Sequence, residues 1–137
     1  MKVLMIGVLA SAALALPFLG SPQSVAVTGN LTCDGEPAAN AKVVLRDLEI
    51  FGNEVLAQGF SNLQGVFNLT GGKTEVTTID PKLYIYHKCN HDGICYKKLS
   101  IVVPDDYVTK GPTPTKLFNV GHINLAGEFS DATDCTE

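Results

Sequence analysis

The 137-residue chain contains no tryptophan, a single arginine and no run of lysines or arginines. The lack of a basic run argues against a nucleic-acid-binding protein, because phosphate backbones are bound by clustered positive charge. No helical hydrophobic period and no second long apolar run follow the N-terminal segment, so we expect neither a helical domain nor a transmembrane segment. What the chain does have is four cysteines and many short stretches of β-branched and aromatic residues.

The first 20 residues, MKVLMIGVLASAALALPFLG, have the layout of a secretory signal peptide, with Lys2 ahead of an apolar run and small residues after it. The run holds about 16 residues, whereas a spanning helix needs about 20. Ala13-Leu14-Ala15 resembles a cleavage site, and a cut near Gly20 or Ser21 is the alternative. We therefore expect residues 1–20 to be removed and residues 21–137 to form one secreted domain, with nine basic and 14 acidic residues and a net charge of −5.

Two Asn-x-Thr sequons, Asn30-Leu31-Thr32 and Asn68-Leu69-Thr70, are acceptors for N-glycans in a secreted chain. Asn30 and Asn68 both fall on the polar phase of an alternating pattern, so their side chains should point to solvent. The sequence therefore predicts glycosylation at these two positions.

Short alternating stretches separated by turn signals every ten or so residues are typical of an all-β protein. About seven or eight strands in this length indicate an antiparallel two-sheet sandwich. Gly121 interrupts the last alternating stretch and predicts a β-bulge. The predicted strands cover residues 25–33, 41–48, 54–60, 66–69, 82–89, 95–103 and 116–129.

The segment YIYHKCNHDGICYKK, Tyr84–Lys98, reads as a β-hairpin. Pairing Ile85 with Leu99 places two apolar alternations on one face, and a one-residue slip would turn one strand inside out. The same register places Cys89 opposite Cys95. We expect these two to form a disulfide in an oxidising compartment, which leaves Cys33 to pair with Cys135, although sequence alone does not exclude the other two connectivities.

A zinc site is the alternative interpretation of this hairpin, because His87, Cys89 and His91 alternate along one strand. The segment has no structural zinc spacing such as C-x₂-C, and His91 falls in the turn. We expect no metal and no cofactor.

The opposite face of the hairpin carries three of the four tyrosines, interleaved with lysines. Tyrosine is enriched in binding surfaces, and such a strip suits a cell-surface protein, an anionic lipid headgroup or a glycan. The competing interpretation is that Tyr and Lys are ordinary cross-strand partners on an exposed sheet. The predicted binding strip, placed on the solvent face with no role in the core, consists of Tyr84, Tyr86, Lys88, Tyr96 and Lys98.

Five segments carry a combined signature: SVAVTGNLTCDGEPAANAKVVLRD, TTIDPKLYIYHKCN, IVVPDDYV, NVGHINL and the closing DC. Together they resemble the nematode transthyretin-like family of secreted proteins, over about residues 24–135. The resemblance implies a prealbumin-like sandwich and an extracellular or cell-surface location. Hydroxyisourate hydrolases of the same fold use histidines, an arginine and a C-terminal Tyr-Arg-Gly-Ser. This chain has only Arg46 and ends Asp134-Cys135-Thr136-Glu137, so we expect no such activity.

Two classes of function remain, a secreted recognition module or adaptor and a carrier of a small apolar ligand. The apolar residues are enough to fill a small sandwich, and no tryptophan lines a pocket, which favours the module. We expect no catalytic residues: the cysteines are paired, and Ser100 lies in a strand without a G-x-S-x-G turn.

Overall fold

The computed structural model describes residues 20–50, 52–127 and 132–135. Apart from Gly20, the predicted signal peptide lies outside the described residues. Within the described ranges, no helix is long and apolar enough to span a bilayer.

The described chain forms two packed sheets, which confirms the predicted all-β sandwich. In the first sheet β1 pairs with β2, β5, β8 and β9, and only the β1–β9 pairing is parallel. The second sheet has the order β10-β7-β6-β3-β4. A short 3₁₀ helix spans Asp105–Tyr107. The strands are β1 Ser21–Cys33, β2 Glu36–Pro37, β3 Lys42–Glu49, β4 Gly52–Phe60, β5 Val66–Glu75, β6 Pro81–His87, β7 Tyr96–Val102, β8 Thr109–Lys110, β9 Leu117–Asn124 and β10 Ala132–Asp134.

The core lies between the sheets and is built from the apolar phase of each strand, since alternate side chains point to opposite faces. The β6–β7 register pairs Ile85 with Leu99, as the alternation predicts. The fully buried side chains include Val25, Leu45, Phe67, Leu83 and Ile85. The opposite phase places Asn30 and Asn68 in solvent, so the predicted orientation of both sequons is confirmed.

The predicted bulge is present in β9, where Val120 and Gly121 face the single residue Gly29 of β1. Gly121 has a φ of 79°. A Cβ atom on Gly29 would lie 2.7 Å from the Phe67 ring and 2.5 Å from Val120 Cγ2. The sheet therefore needs glycine at position 29, because the core closes directly over its backbone.

All four cysteines form disulfides, but the predicted connectivity is wrong. The bonds join Cys33 to Cys89 and Cys95 to Cys135, with Cα–Cα distances of 5.7 Å and 4.4 Å. The first links the end of β1 to the end of β6 and so connects the two sheets. The second lies within one sheet, between β7 and β10.

The error came from extending a correct register too far. Pairing between β6 and β7 ends at His87 and Lys97, two pairs before the cysteines would meet. Beyond that point a turn forms, with the His91 N–H donating to the Lys88 carbonyl and Asn90 at a φ of 53°. Cys89 keeps the inward phase of β6 and is buried, and there it meets Cys33 from the facing sheet.

Candidate binding face

The outer surface of the second sheet is formed by the outward side chains of β3, β6 and β7, here called the basic face. The register arranges them in rows across the strands, with Lys42 beside Tyr86 and Tyr86 beside Lys98. Neighbouring rows are two residues apart, about 7 Å along a strand. The basic face consists of Lys42, Val44, Arg46, Lys82, Tyr84, Tyr86, Lys88, Tyr96, Lys98, Ser100 and Val102.

This face concentrates positive charge in an otherwise acidic chain. It holds five of the ten lysine and arginine residues, although the whole chain has a net charge of −4. None of the outward positions of β3, β6 and β7 in the described part carries a carboxylate. Arg46 and Lys82 lie directly opposite each other, an arrangement of like charges that costs stability in a sheet.

The tyrosine rings hold the lysine amines close to the sheet. The Lys88 amine lies 5.0 Å from the centre of the Tyr96 ring. Tyr84 has two such neighbours, the amines of Lys98 at 5.5 Å and of Lys82 at 5.6 Å. At these distances the ring faces attract the cations. The face is therefore a continuous surface of aromatic rings and amines.

The structure brings all five predicted strip residues onto one face, and it corrects the role of one of them. Tyr86 was predicted to face solvent with no role in packing, but it is only 3% exposed and is therefore part of the packed structure. It lies on a central strand between Lys42 and Lys98, and Val44 on the same face is fully buried. Long side chains cover the middle of a broad sheet even on its outer side. Tyr84, Tyr96 and Lys98 are half-buried, and Lys88 is exposed.

A surface cleft of about 410 Å³ adjoins the basic face at the hairpin end. Tyr86, Lys88 and Tyr96 line it together with the Cys33–Cys89 disulfide and the loop that follows β2. The cleft forms a concave wall at this end of the sheet, with the Tyr96 side chain and the exposed Lys88 side chain in its lining.

A second charge cluster lies where the edges of the two sheets meet, around Lys73 of β5. Its amine binds carboxylates at 3.2 Å (Asp47), 2.5 Å (Glu54) and 2.7 Å (Glu75), and it also binds Glu49. Asp47 is buried, and its Oδ1 accepts the Asp80 N–H at 2.8 Å. Because Asp47, Glu49 and Glu54 belong to the second sheet, Lys73 joins the sheets electrostatically.

The Lys73 cluster contains the three carboxylates of Asp47, Glu49 and Glu75, whose oxygens lie within 4.8 Å of one another. Such a group has the ligands of a divalent cation, but the Lys73 amine already binds all three carboxylates. Hydrogen bonds to Glu49, Glu54 and Glu75 raise the pKa of Lys73 above its ordinary range and outweigh the opposite effect of burial. The Lys73 ammonium group thus occupies the position that a metal cation would take among these carboxylates.

The three histidines of the described residues lie in three different environments. His87 is buried, and its Nδ1 accepts the Cys89 N–H at 3.1 Å. His122 is exposed on the other sheet, where its Nε2 lies 2.8 Å from Thr32 Oγ1. His91 lies in the hairpin turn. Since Cys89 is in a disulfide, it offers no thiolate for the alternative zinc site.

Sequence reasoning missed the contribution of β3 to the basic face and missed the Lys73 cluster entirely. A usable signal was present in β3, where Lys42, Val44 and Arg46 alternate with an inward set that ends in Asp47. A carboxylate in the core phase requires a partner, because burying an unpaired charge is very costly.

The model of the transthyretin-like family matches residues 28–104. Transthyretin-like protein 5 of Caenorhabditis elegans is 41% identical over 98% of this chain and 99% of its own length. Transthyretin-like protein 33 of the same organism is 42% identical, covering 82% of each chain. Among solved structures, 5-hydroxyisourate hydrolase of Klebsiella pneumoniae matches at 14% identity and a TM-score of 0.43, over 80% of this chain and 97% of that one. That likeness is too distant to bear on chemistry.

Proposed function

Because the chain belongs to the transthyretin-like family, we propose that it is a secreted recognition module rather than an enzyme. It binds an anionic group of a cell-surface or matrix ligand through the basic face. The module works outside the cell, after removal of residues 1–20. Glycans at Asn30 and Asn68 would cover the other sheet and leave the basic face open, since Asn30 lies on β1 and Asn68 on β5.

The observation that carries this proposal is the placement of five cations on one face of an acidic chain. Like charges gathered on one surface lower stability, so their natural use is to attract an oppositely charged ligand. The half-buried Tyr84 and Tyr96 add rigid contact area, and their rings hold the lysine amines close to the sheet.

The test measures binding of the protein to a heparin-derived octasaccharide, to vesicles containing phosphatidylglycerol and to neutral vesicles. We expect binding to an anionic probe that falls as salt rises, with screening over about 10 Å at 0.1 M. Lys88→Ala and Tyr96→Ala should each weaken it. Lys110→Ala removes another exposed lysine, from the first sheet, and is the matched control.

Two results would contradict the proposal. One is the absence of binding to every anionic probe and to cells. The other is an equal loss of binding in the Lys88→Ala and Lys110→Ala variants, which would indicate general charge attraction rather than a defined face.

The carrier function is the weaker candidate, because the space between the sheets is occupied by side chains such as Phe67, Leu83 and Ile85. The cleft beside Tyr96 is a surface feature. Native mass spectrometry distinguishes the two functions, since a carrier would retain a small apolar ligand or assemble into an oligomer that encloses one.

A further inference from the structure

The last described strand, β10, lies on the edge of the sheet that carries the basic face. It pairs antiparallel with β7, with Ala132 opposite Lys98 and Asp134 opposite Tyr96. The disulfide between Cys95 and Cys135 follows directly and holds the strand in place. This register turns the Asp134 side chain to the same side as Tyr96 and Lys98.

The Asp134 carboxylate binds the basic face. Its Oδ2 accepts a hydrogen bond from the Lys98 amine at 3.2 Å, and the two side chains are 16% and 29% exposed. The same amine lies 5.5 Å from the Tyr84 ring, and the Lys88 amine lies beside Tyr96 in the row of Asp134. The carboxylate therefore lies where the anionic group of a ligand would meet the face.

Asp134 also differs from every other outward residue around it. On the outward positions of β3, β6, β7 and β10 that the structure describes, it is the one carboxylate among five cations. It comes from the C-terminal strand and not from the three strands that form the face.

We propose that Lys98 is an anion subsite and that Asp134 is its built-in occupant, which competes with the ligand. This inference rests on the proposed function of the basic face. The subsite takes an anionic oxygen group, a carboxylate, a sulfate or a phosphate. A ligand that carries several such groups displaces Asp134 and gains Lys98.

The Lys98–Asp134 contact is weak enough for a ligand to displace Asp134. A partly exposed ion pair is weak, and a strand of three residues is short, so neither holds the tail firmly. The Cys95–Cys135 bond nevertheless keeps the carboxylate close to Lys98, at a high effective concentration, so it rebinds whenever the ligand leaves. The strand thus tunes the affinity of the face.

The test replaces Asp134 with its uncharged isostere in the full chain. Asp134→Asn should bind the heparin-derived octasaccharide roughly two- to fivefold tighter than the unaltered protein, the range expected for release of a partly exposed ion pair. The salt dependence should also steepen, because one more cation becomes available. Asp105→Asn removes the same charge from an exposed helix position and should change little.

The decisive comparison repeats the Asp134→Asn substitution in a protein that also carries Lys98→Met. The gain from Asp134→Asn should vanish when Lys98 is absent, whereas a gain that persists would overturn the subsite. Equal affinities of Asp134→Asn and Asp105→Asn would show that Asp134 does not compete with the ligand. The proposal that the basic face binds the ligand would still stand if Lys88→Ala weakened binding. Absence of binding by the unaltered protein and by Asp134→Asn would overturn both proposals. Phosphatidylglycerol vesicles, tested in parallel, decide whether the anionic group comes from a polysaccharide or from a lipid.

Discussion

The junction between the two sheets and the β7–β10 edge of the second sheet each contain one disulfide and one charge cluster, but they use them in opposite ways. Between the sheets, Cys33–Cys89 and Lys73 both connect one sheet to the other. At the β7–β10 edge of the second sheet, the Cys95–Cys135 bond and the Lys98–Asp134 pair connect two neighbouring strands of a single sheet. The first set can stabilise the whole sandwich, and the second can only hold a short strand in place.

The charge ratios of the two regions are also reversed. Lys73 is one cation among four carboxylates, whereas Asp134 is one carboxylate on a face with five cations. The carboxylates around Lys73 are held by a single, partly exposed amine. On the proposed function, a ligand would use the positive charge that is concentrated on the basic face.

The largest expected effect separates the two disulfides. Replacing Cys33 and Cys89 together by Ala should lower the free energy of unfolding by about 4 kcal/mol, the chain-entropy value for a separation of 56 residues. Replacing Cys95 and Cys135 by Ala should cost clearly less, because β10 can detach while the sandwich stays folded. Urea denaturation of the two double variants measures the difference. Equal losses would show that β10 is part of the cooperative unit.

The next effect concerns the charge cluster between the sheets. Lys73→Met should lower the free energy of unfolding by about 2 kcal/mol, less than for a fully buried pair because the Lys73 side chain is 15% exposed. Binding to anionic probes should be unchanged. Lys110→Met, on the exposed β8, is the control for loss of one lysine. A Lys73 variant as stable as this control would mean that the carboxylates do not depend on the amine.

The smallest effect is a dependence on alkaline pH. Because hydrogen bonds to Glu49, Glu54 and Glu75 raise the pKa of folded Lys73 above the value of about 10.4 in an unfolded chain, its stabilisation is complete below that pH. Above it the unfolded chain loses the proton first, and the stabilisation declines as pH rises. The stability difference between the unaltered protein and Lys73→Met should therefore be constant from pH 8 to 10 and shrink above it.

Lys73→Arg provides the matched control, since arginine stays charged throughout this range. Its advantage over Lys73→Met should persist where that of lysine shrinks. A difference that does not change with pH for lysine would contradict a raised pKa.

The sequence predicted most of the sheet that carries the candidate site. The alternation in β6 and β7 was enough to place Tyr84, Tyr96 and Lys98 on one face in the observed register. It was not enough to predict the burial of Tyr86, which depends on flanking strands that the hairpin pattern does not contain. Likewise, Lys42 and Arg46 join the basic face only because β3 pairs with β6.

By itself, the amino-acid sequence determined the seven longer strands, their inward and outward phases, the bulge near Gly121 and the pairing of β6 with β7. These properties are local, because the period of two and the turn residues act over a few positions. The short strands β2, β8 and β10 were not predicted. Only the tertiary structure decided which cysteines meet, which carboxylates surround Lys73 and which strand brings Asp134 to Lys98. Apart from the contact of Lys73 with nearby Glu75, those contacts join residues 19 to 56 positions apart, and their partners are set by how the sheets pack and how the strands are ordered.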